Sequence, residues 1–226
     1  MRFGVRLSSV IVFLLVFGSL LVAAKRFLMP RVSDANSYPA RDEHPTENVA
    51  IALDPYDTEQ KTSIFSTRYV ENDLMPILFV VSNHGGQPVL LNGMRVQLVL
   101  RNRTKISPAD EEDVYRRLTR GPRDDSGVSR NPLPFPRGPK VRVPKEVSEE
   151  LQTSQFRARA VEPGATQAGF FFFDVSGPQR PLQGAHLYVT GVRDSDGQEL
   201  MFFDIELDKY LATSPEPNKP PEAPKP

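Results

Sequence analysis

Residues 7–24 read LSSVIVFLLVFGSLLVAA, eighteen uncharged and mostly apolar residues preceded by Arg2 and Arg6 and followed at once by Lys25 and Arg26. No other stretch constrains the chain as much. Burial of its aliphatic and aromatic side chains drives it into lipid, and the positive charges at its amino end hold that end in the cytoplasm. At about 1.5 Å rise per residue it makes roughly 27 Å of helix, adequate for a hydrocarbon core of ~30 Å, with Phe27, Leu28 and Met29 available to extend it. The expectation is a single N-terminal membrane helix acting as a signal anchor over residues 1–29, with everything after it exported. Val22-Ala23-Ala24 offers the small residues of a cleavage site, in which case the chain is secreted. Lys25 and Arg26 directly after it disfavour cleavage. The chain has no Cys, so neither a lipidated N-terminal cysteine nor a disulfide is available to it.

Residues 30–48 mix Pro, Ser, Asn and charges without an apolar period and read as a linker. The body follows over residues 49–211. Val49–Leu53 is a strand candidate closed by Asp54-Pro55. Pro76–Val81 is a continuous apolar run ending in Ser-Asn-His-Gly-Gly, the pattern of a strand covered on both faces. Met94–Arg103 alternates, with Met94, Val96, Leu98 and Leu100 on one face, as in a half-buried strand. Ser107-Pro108 followed by Asp110, Glu111, Glu112 and Asp113 supplies an N-cap, a helix-compatible proline and acids for the first turn, so a short helix to about Leu118 is expected. A second short helix is expected from Pro144 to Gln152.

Strands resume at Phe156–Val161, Gly169–Phe173, Ala185–Val192 and Glu199–Leu207, the last two joined by Asp194-Ser-Asp-Gly197, where glycine suits the positive φ of a hairpin turn. About seven short strands with few helices predict a mainly β fold, an immunoglobulin-like antiparallel β-sandwich. Its core is expected to be pinned by Phe170–Phe173, Tyr188 and Phe203. The segments LMPILFVVSN and GAHLYVTGVRDSDGQELMFFDIEL, together with the N-terminal anchor, resemble those of uncharacterised bacterial envelope proteins carrying one immunoglobulin-like domain. That resemblance spans roughly residues 49–211 and implies a fold and a compartment, the inner membrane with the body on the periplasmic or extracellular side.

No catalytic motif stands out. Asp194–Glu199 resembles the front of a calcium loop, but the rest of such a loop and its terminal Glu are missing, and a plain hairpin turn explains the same residues. His44, His84 and His186 lack metal-ligand spacing. There is no Gly-x-Ser-x-Gly elbow, phosphate loop or dinucleotide fingerprint. Catalytic, cofactor and metal residues are therefore expected to be none.

Two surfaces draw the binding expectation. Between Arg116 and Lys145 stand nine basic residues against Asp124 and Asp125, with six prolines to keep the segment extended. In the long Pro-rich loop 120–145, Arg120, Arg123, Arg130, Arg137, Lys140 and Arg142 are candidates for an acidic partner or an anionic lipid surface. The tail, residues 212–226, has six prolines in its last thirteen positions. Pro217, Pro220, Pro221 and Pro224 give it two PxxP spacings for an envelope partner, in a stretch that otherwise reads as a disordered spacer. Lys+Arg and Asp+Glu are 28 each, so no net field draws the chain to nucleic acid. The reading is a non-catalytic binding or scaffolding component of the envelope. The alternatives are a small-ligand or carbohydrate module, and a hydrolase whose triad assembles only in space.

Overall fold

The computed structural model describes residues 27–120, 144–177 and 179–213, with only the backbone given for Arg120. Residues 1–26 of the anchor expected over 1–29, residues 121–143 of the basic loop and the tail from Ser214 lie outside these residues; Phe27, Leu28 and Met29 do not extend a membrane helix, since they are not helical and Phe27 is buried in the core of the body. Among the described residues no helix is long and apolar enough to cross a membrane.

The body is mainly β, built on two four-stranded antiparallel sheets. The first sheet has the order β1 (Ala40–His44), β2 (Val49–Pro55), β3 (Leu74–Asn83), β8 (Thr166–Asp174). The second runs β10 (Phe203–Glu206), β9 (His186–Thr190), β5 (Arg95–Val99), β6 (Lys105–Ile106). A short ladder of β4 (Val89–Leu90) with β7 (Ala160–Val161) joins them at one end. Four α-helices complete the body: α1 (Glu59–Thr62), α2 (Glu111–Arg120), α3 (Lys145–Ser154) and α4 (Asp208–Leu211).

Strand β3 is buried along its whole length, as its unbroken apolar run requires. A strand buried on both faces needs two covers. One is the second sheet: Ile51, Leu53, Ile77, Phe79 and Val81 share a core with Leu98, Leu187, Val189, Phe203 and Ile205. The other cover is helical. Ala50, Ala52, Leu78 and Val80 pack with Val114 of α2, Leu151 of α3, and Tyr56, Phe65 and Tyr69 from the irregular segment between β2 and β3. The protein is thus layered sheet, sheet, helix, one layer more than a two-sheet sandwich.

The four phenylalanines of β8 alternate between these cores. Phe170 and Phe172 face the helical layer, while Phe171 and Phe173 pack between the sheets. Gly169 precedes them because the chain leaving α3 crosses β8 there. Phe156 N donates to Phe170 O (3.0 Å), and a Cβ on Gly169 would land on the backbone of Phe156.

Several sequence expectations are corrected. Residues 30–48 are not merely a linker: they hold a 3-10 turn at Ala35–Ser37 and the edge strand β1, whose Ala40 pairs with Leu53 and His44 with Val49. Only Ala40 of β1 is buried, so its sequence carries almost no apolar pattern. Helix α2 starts a turn later than Ser107-Pro108 suggests, because Asp110 Oδ1 takes the amide of Asp113 (2.8 Å) and serves as the cap. The strand expected over 94–103 stops at Val99, where the chain turns through Arg103 at φ 66°. Tyr188 does not pin the core, as it lies half-buried on the outer face of the second sheet.

Candidate functional site

The two sheets meet along the edges β1 and β10, and a polar seam closes them there. The His44 ring stacks on Phe203 with centroids 3.9 Å apart and planes 8° from parallel. Its Nδ1 lies 2.6 Å from Glu47 Oε2, and its Nε2 lies 3.6 Å from Asp42 Oδ2. The same carboxylates reach across to the other sheet: Asp204 N donates to Asp42 Oδ2 (2.9 Å), and Met201 N donates to Glu47 Oε1 (3.2 Å). These groups satisfy backbone amides that a sheet edge would otherwise leave open.

Outward of the seam the second sheet carries an aromatic patch. By strand alternation Leu187, Val189 and Phe203 point inward, while His186, Tyr188 and Phe202 point out. Tyr188 lies 6.2 Å from Phe202 and 6.2 Å from His186, ring to ring. Met201 is 68% and Phe202 53% exposed, unusual for large apolar side chains standing side by side. Asp204 borders the patch: its Oδ1 is 2.9 Å from His186 Nδ1, and its hydrogen bond and charge push the Tyr188 hydroxyl above its ordinary pKa.

The turn after β9 is held by carboxylates that accept backbone amides. Asp194 Oδ1 accepts the amides of Asp196 (3.0 Å) and Gln198 (2.8 Å), Gly197 takes φ 83°, and Glu199 Oε1 accepts Gly191 N (2.9 Å). Two of the carboxylates that a calcium loop would need are thus engaged by backbone. Among the described residues no group of three or more His, Cys, Asp or Glu side chains is arranged to hold a metal ion.

On the opposite side, the helical layer is organised by a buried acid. Glu150, 4% exposed, accepts Ser66 N and Ser66 Oγ (2.5 Å each) and Thr67 N (3.1 Å). This ties α3 to the segment that carries Phe65. Tyr69 in the same segment is held neutral by burial, with the Glu150 charge adding to the effect. Arg117 of α2 donates to Asn72 O (2.9 Å) and pairs with Asp73, fixing the other end of that segment.

Two further polar clusters lie near the two ends of the described body. Lys61 Nζ meets Asp54 Oδ1 (2.5 Å) and Tyr210 OH (3.2 Å), and Tyr210 OH donates to Asp57 Oδ1 (2.6 Å), which seats α4 on the end of β2. Burial, aided by the Asp54 charge, pushes Tyr56 beside them up to about 12. Near the start, His84 Nε2 lies 2.7 Å from Asp34 Oδ2. Burial opposes the charge on Asp34, but its bonds from His84 and the Asn36 amide outweigh that and hold it below the ordinary value.

Of the residues chosen from sequence, Arg120 ends α2 in the helical layer. Arg123, Arg130, Arg137, Lys140, Arg142 and the tail prolines Pro217, Pro220, Pro221 and Pro224 lie outside the described residues. The seam and the aromatic patch were missed. The signal available for the patch was Met201-Phe202-Phe203, three large apolar residues in a row of which only Phe203 enters β10 and the core. A cleft of about 450 Å³ beside Arg101, Asn102 and Arg180 was also not foreseen.

No family model matches the sequence, and no curated protein matches it. Two solved structures resemble it distantly. A candidate lipoprotein, YcdA, from Bacillus subtilis shares 14% identity at a TM-score of 0.35, over 78% of this chain. The chain spans 42% of the length of that structure. A conserved hypothetical protein from Bacillus anthracis shares 12% identity at a TM-score of 0.29, over 71% of this chain and 90% of the other. At these scores neither likeness bears on function.

Proposed function

We propose that the protein is a membrane-anchored, exported β-sandwich that acts as a non-catalytic binding or scaffolding component of a bacterial cell envelope. The observation that carries the reading is the exposed Met201–Phe202–Tyr188 patch on the outer face of the second sheet. Aromatic and methionine side chains are enriched at protein interfaces: the rings bury much area for few rotamers, and the flexible methionine thioether adapts to the partner's shape. The apolar run 7–24 supports the anchored and exported part of the reading. An immunoglobulin-like topology is supported by the strand orders: β2-β3-β8 follows the order of strands A, B and E, and β10-β9-β5-β6 that of G, F, C and C′.

The test is in-cell crosslinking from a photoreactive residue at position 202, with mass spectrometry of the captured species. A discrete protein adduct that disappears in Tyr188→Ala is the expected result. Chains ending at Leu211 or lacking residues 121–142 then show whether the tail or the basic loop contributes. If Phe202 captures nothing that depends on Tyr188, the patch is not a partner site and the reading loses its support. A second reading, a carbohydrate module, draws on the same stacked Tyr188 and Phe202 beside Asp204. It predicts thermal stabilisation by a glycan, about 2.7 kcal/mol at a hundred times its dissociation constant.

A further inference from the structure

We infer that the helical layer is a membrane-docking face: the body lies directly on the lipid surface of its own bilayer through Leu28, Met29 and Val70, with the aromatic patch turned away. This rests on the reading of residues 7–24 as a membrane span. The chain then has almost no slack. Phe27 is 8% exposed and belongs to the core of the helical layer, its ring stacked on Phe65 (5.3 Å, 13°) and edge-on to Phe170 (6.2 Å, 80°). Only Lys25 and Arg26 separate it from Ala24, the last residue of the apolar run. Three residue steps reach at most about 11 Å even when fully extended. A body clipped at Phe27 therefore cannot stand off from the bilayer, and the layer that holds Phe27 is the one nearest to it.

The surface around that clip has the matching chemistry. Leu28 is 76% exposed, Met29 38% and Val70 38%. Val70 is far from Leu28 in sequence but follows Tyr69, whose ring meets the same Phe65 that stacks on Phe27 (5.2 Å). These three and the Met201–Phe202 pair are the large apolar side chains that the described body leaves exposed. Arg31, exposed two residues after Met29, places a positive charge beside this patch, worth about 1 kcal/mol against an anionic leaflet. The Glu150 contacts to Ser66 and Thr67 hold the segment carrying Phe65 to α3, so the clip is fixed to the body rather than to a loose loop.

The chain has no Trp, so single tryptophans report without background. The full chain would be reconstituted into vesicles of phosphatidylethanolamine and phosphatidylglycerol, with and without brominated acyl chains. Val70→Trp is the deciding probe, since only docking of the body brings position 70 to lipid. Leu28→Trp marks the tether and Phe202→Trp the far face. The expected result is that V70W and L28W shift to shorter emission wavelength and lose most of their emission to brominated lipid, while F202W loses little. Adding Phe27→Ala to V70W should abolish its quenching while the chain still floats with the vesicles. If V70W stays as unquenched as F202W in a chain that floats, the docking face is wrong and the anchor reading survives. A chain that does not float overturns the anchor reading and, with it, this inference.

Discussion

The two faces of the first sheet are covered in opposite ways. Toward the second sheet the cover is regular: alternating aliphatic residues of β5, β9 and β10 meet alternating residues of β2 and β3, and the open edge is closed by the His44–Phe203 seam. Toward the helices it is irregular, assembled from Val114 of α2, Leu151 of α3, three rings of the segment 56–69 and the chain at Phe27, and dominated by aromatic rings. The first is what any sandwich must build. The second goes beyond that requirement, and it holds Phe27, which follows closely on the run that reads as a membrane anchor. A layer made of scattered rings pinned by Glu150 and Arg117 can tie a tether to a sheet without extending the sheet itself.

The sharpest way to break this contrast is to remove one phenylalanine from each side of β8. Phe173→Ala and Phe172→Ala should each cost about 3–5 kcal/mol, as large buried aromatics do. Chemical denaturation measures the loss. Hydrogen exchange separates the two: F173A should weaken protection throughout both sheets, whereas F172A should expose α2 and α3 first. Equal effects on the helices would show that the helical layer is not a distinct unit.

Gly169→Ala comes next. The added Cβ meets the Phe156 backbone, which has no flexible end to move, so the expected cost is about 1–3 kcal/mol by the measure of overpacked cores. A thermal melt unchanged from the parent would mean the crossing of the α3 exit over β8 is looser than described. Glu150→Gln weakens the charged acceptor of the Ser66 and Thr67 groups; about 2 kcal/mol of stability should be lost, since hydrogen bonds to charged groups run at ~1.5–3 kcal/mol. Its exchange footprint should fall on residues 62–72 and leave the seam untouched.

The smallest effect is expected at the start of the chain. Asp34 is depressed in the folded state, so its contribution is present above about pH 4 and lost as pH falls further. Both partners are more than a third exposed, which limits the pair to a few tenths of a kcal/mol. His84→Ala should therefore lower stability slightly at neutral pH, and the gap to the parent should close on acidification. A gap that widens below pH 4 would show the sign to be wrong.

Much of the sheet was legible in the sequence because its determinants are local. An apolar run between turn residues located β3, the Phe170–Phe173 run located β8, and Asp-Gly located the turn after β9. What was not legible depends on residues distant in sequence. β1 reads as linker because an edge strand closed by a polar seam needs one apolar residue, Ala40, and nothing in ARDEH announces its pairing with β2. Helices α2 and α3 are legible from their caps and acids, but the rings that join them to the sheet are not, because Phe27, Phe65 and Tyr69 sit in segments with no period. The aromatic patch escaped because Tyr188 was expected inside, and only the register Phe203↔Val189 shows that it points out.

On the proposed reading the molecule has a lipid side and a partner side. Since the chain has no Cys, Val70→Cys and Phe202→Cys each give a single labelling site. With the full chain reconstituted alone into vesicles, their reaction with a membrane-impermeant maleimide would be followed before and after detergent. Rapid labelling at 202 is expected in both conditions, and labelling at 70 that is slow until detergent is added. Equal, detergent-independent labelling at the two positions would contradict that reading.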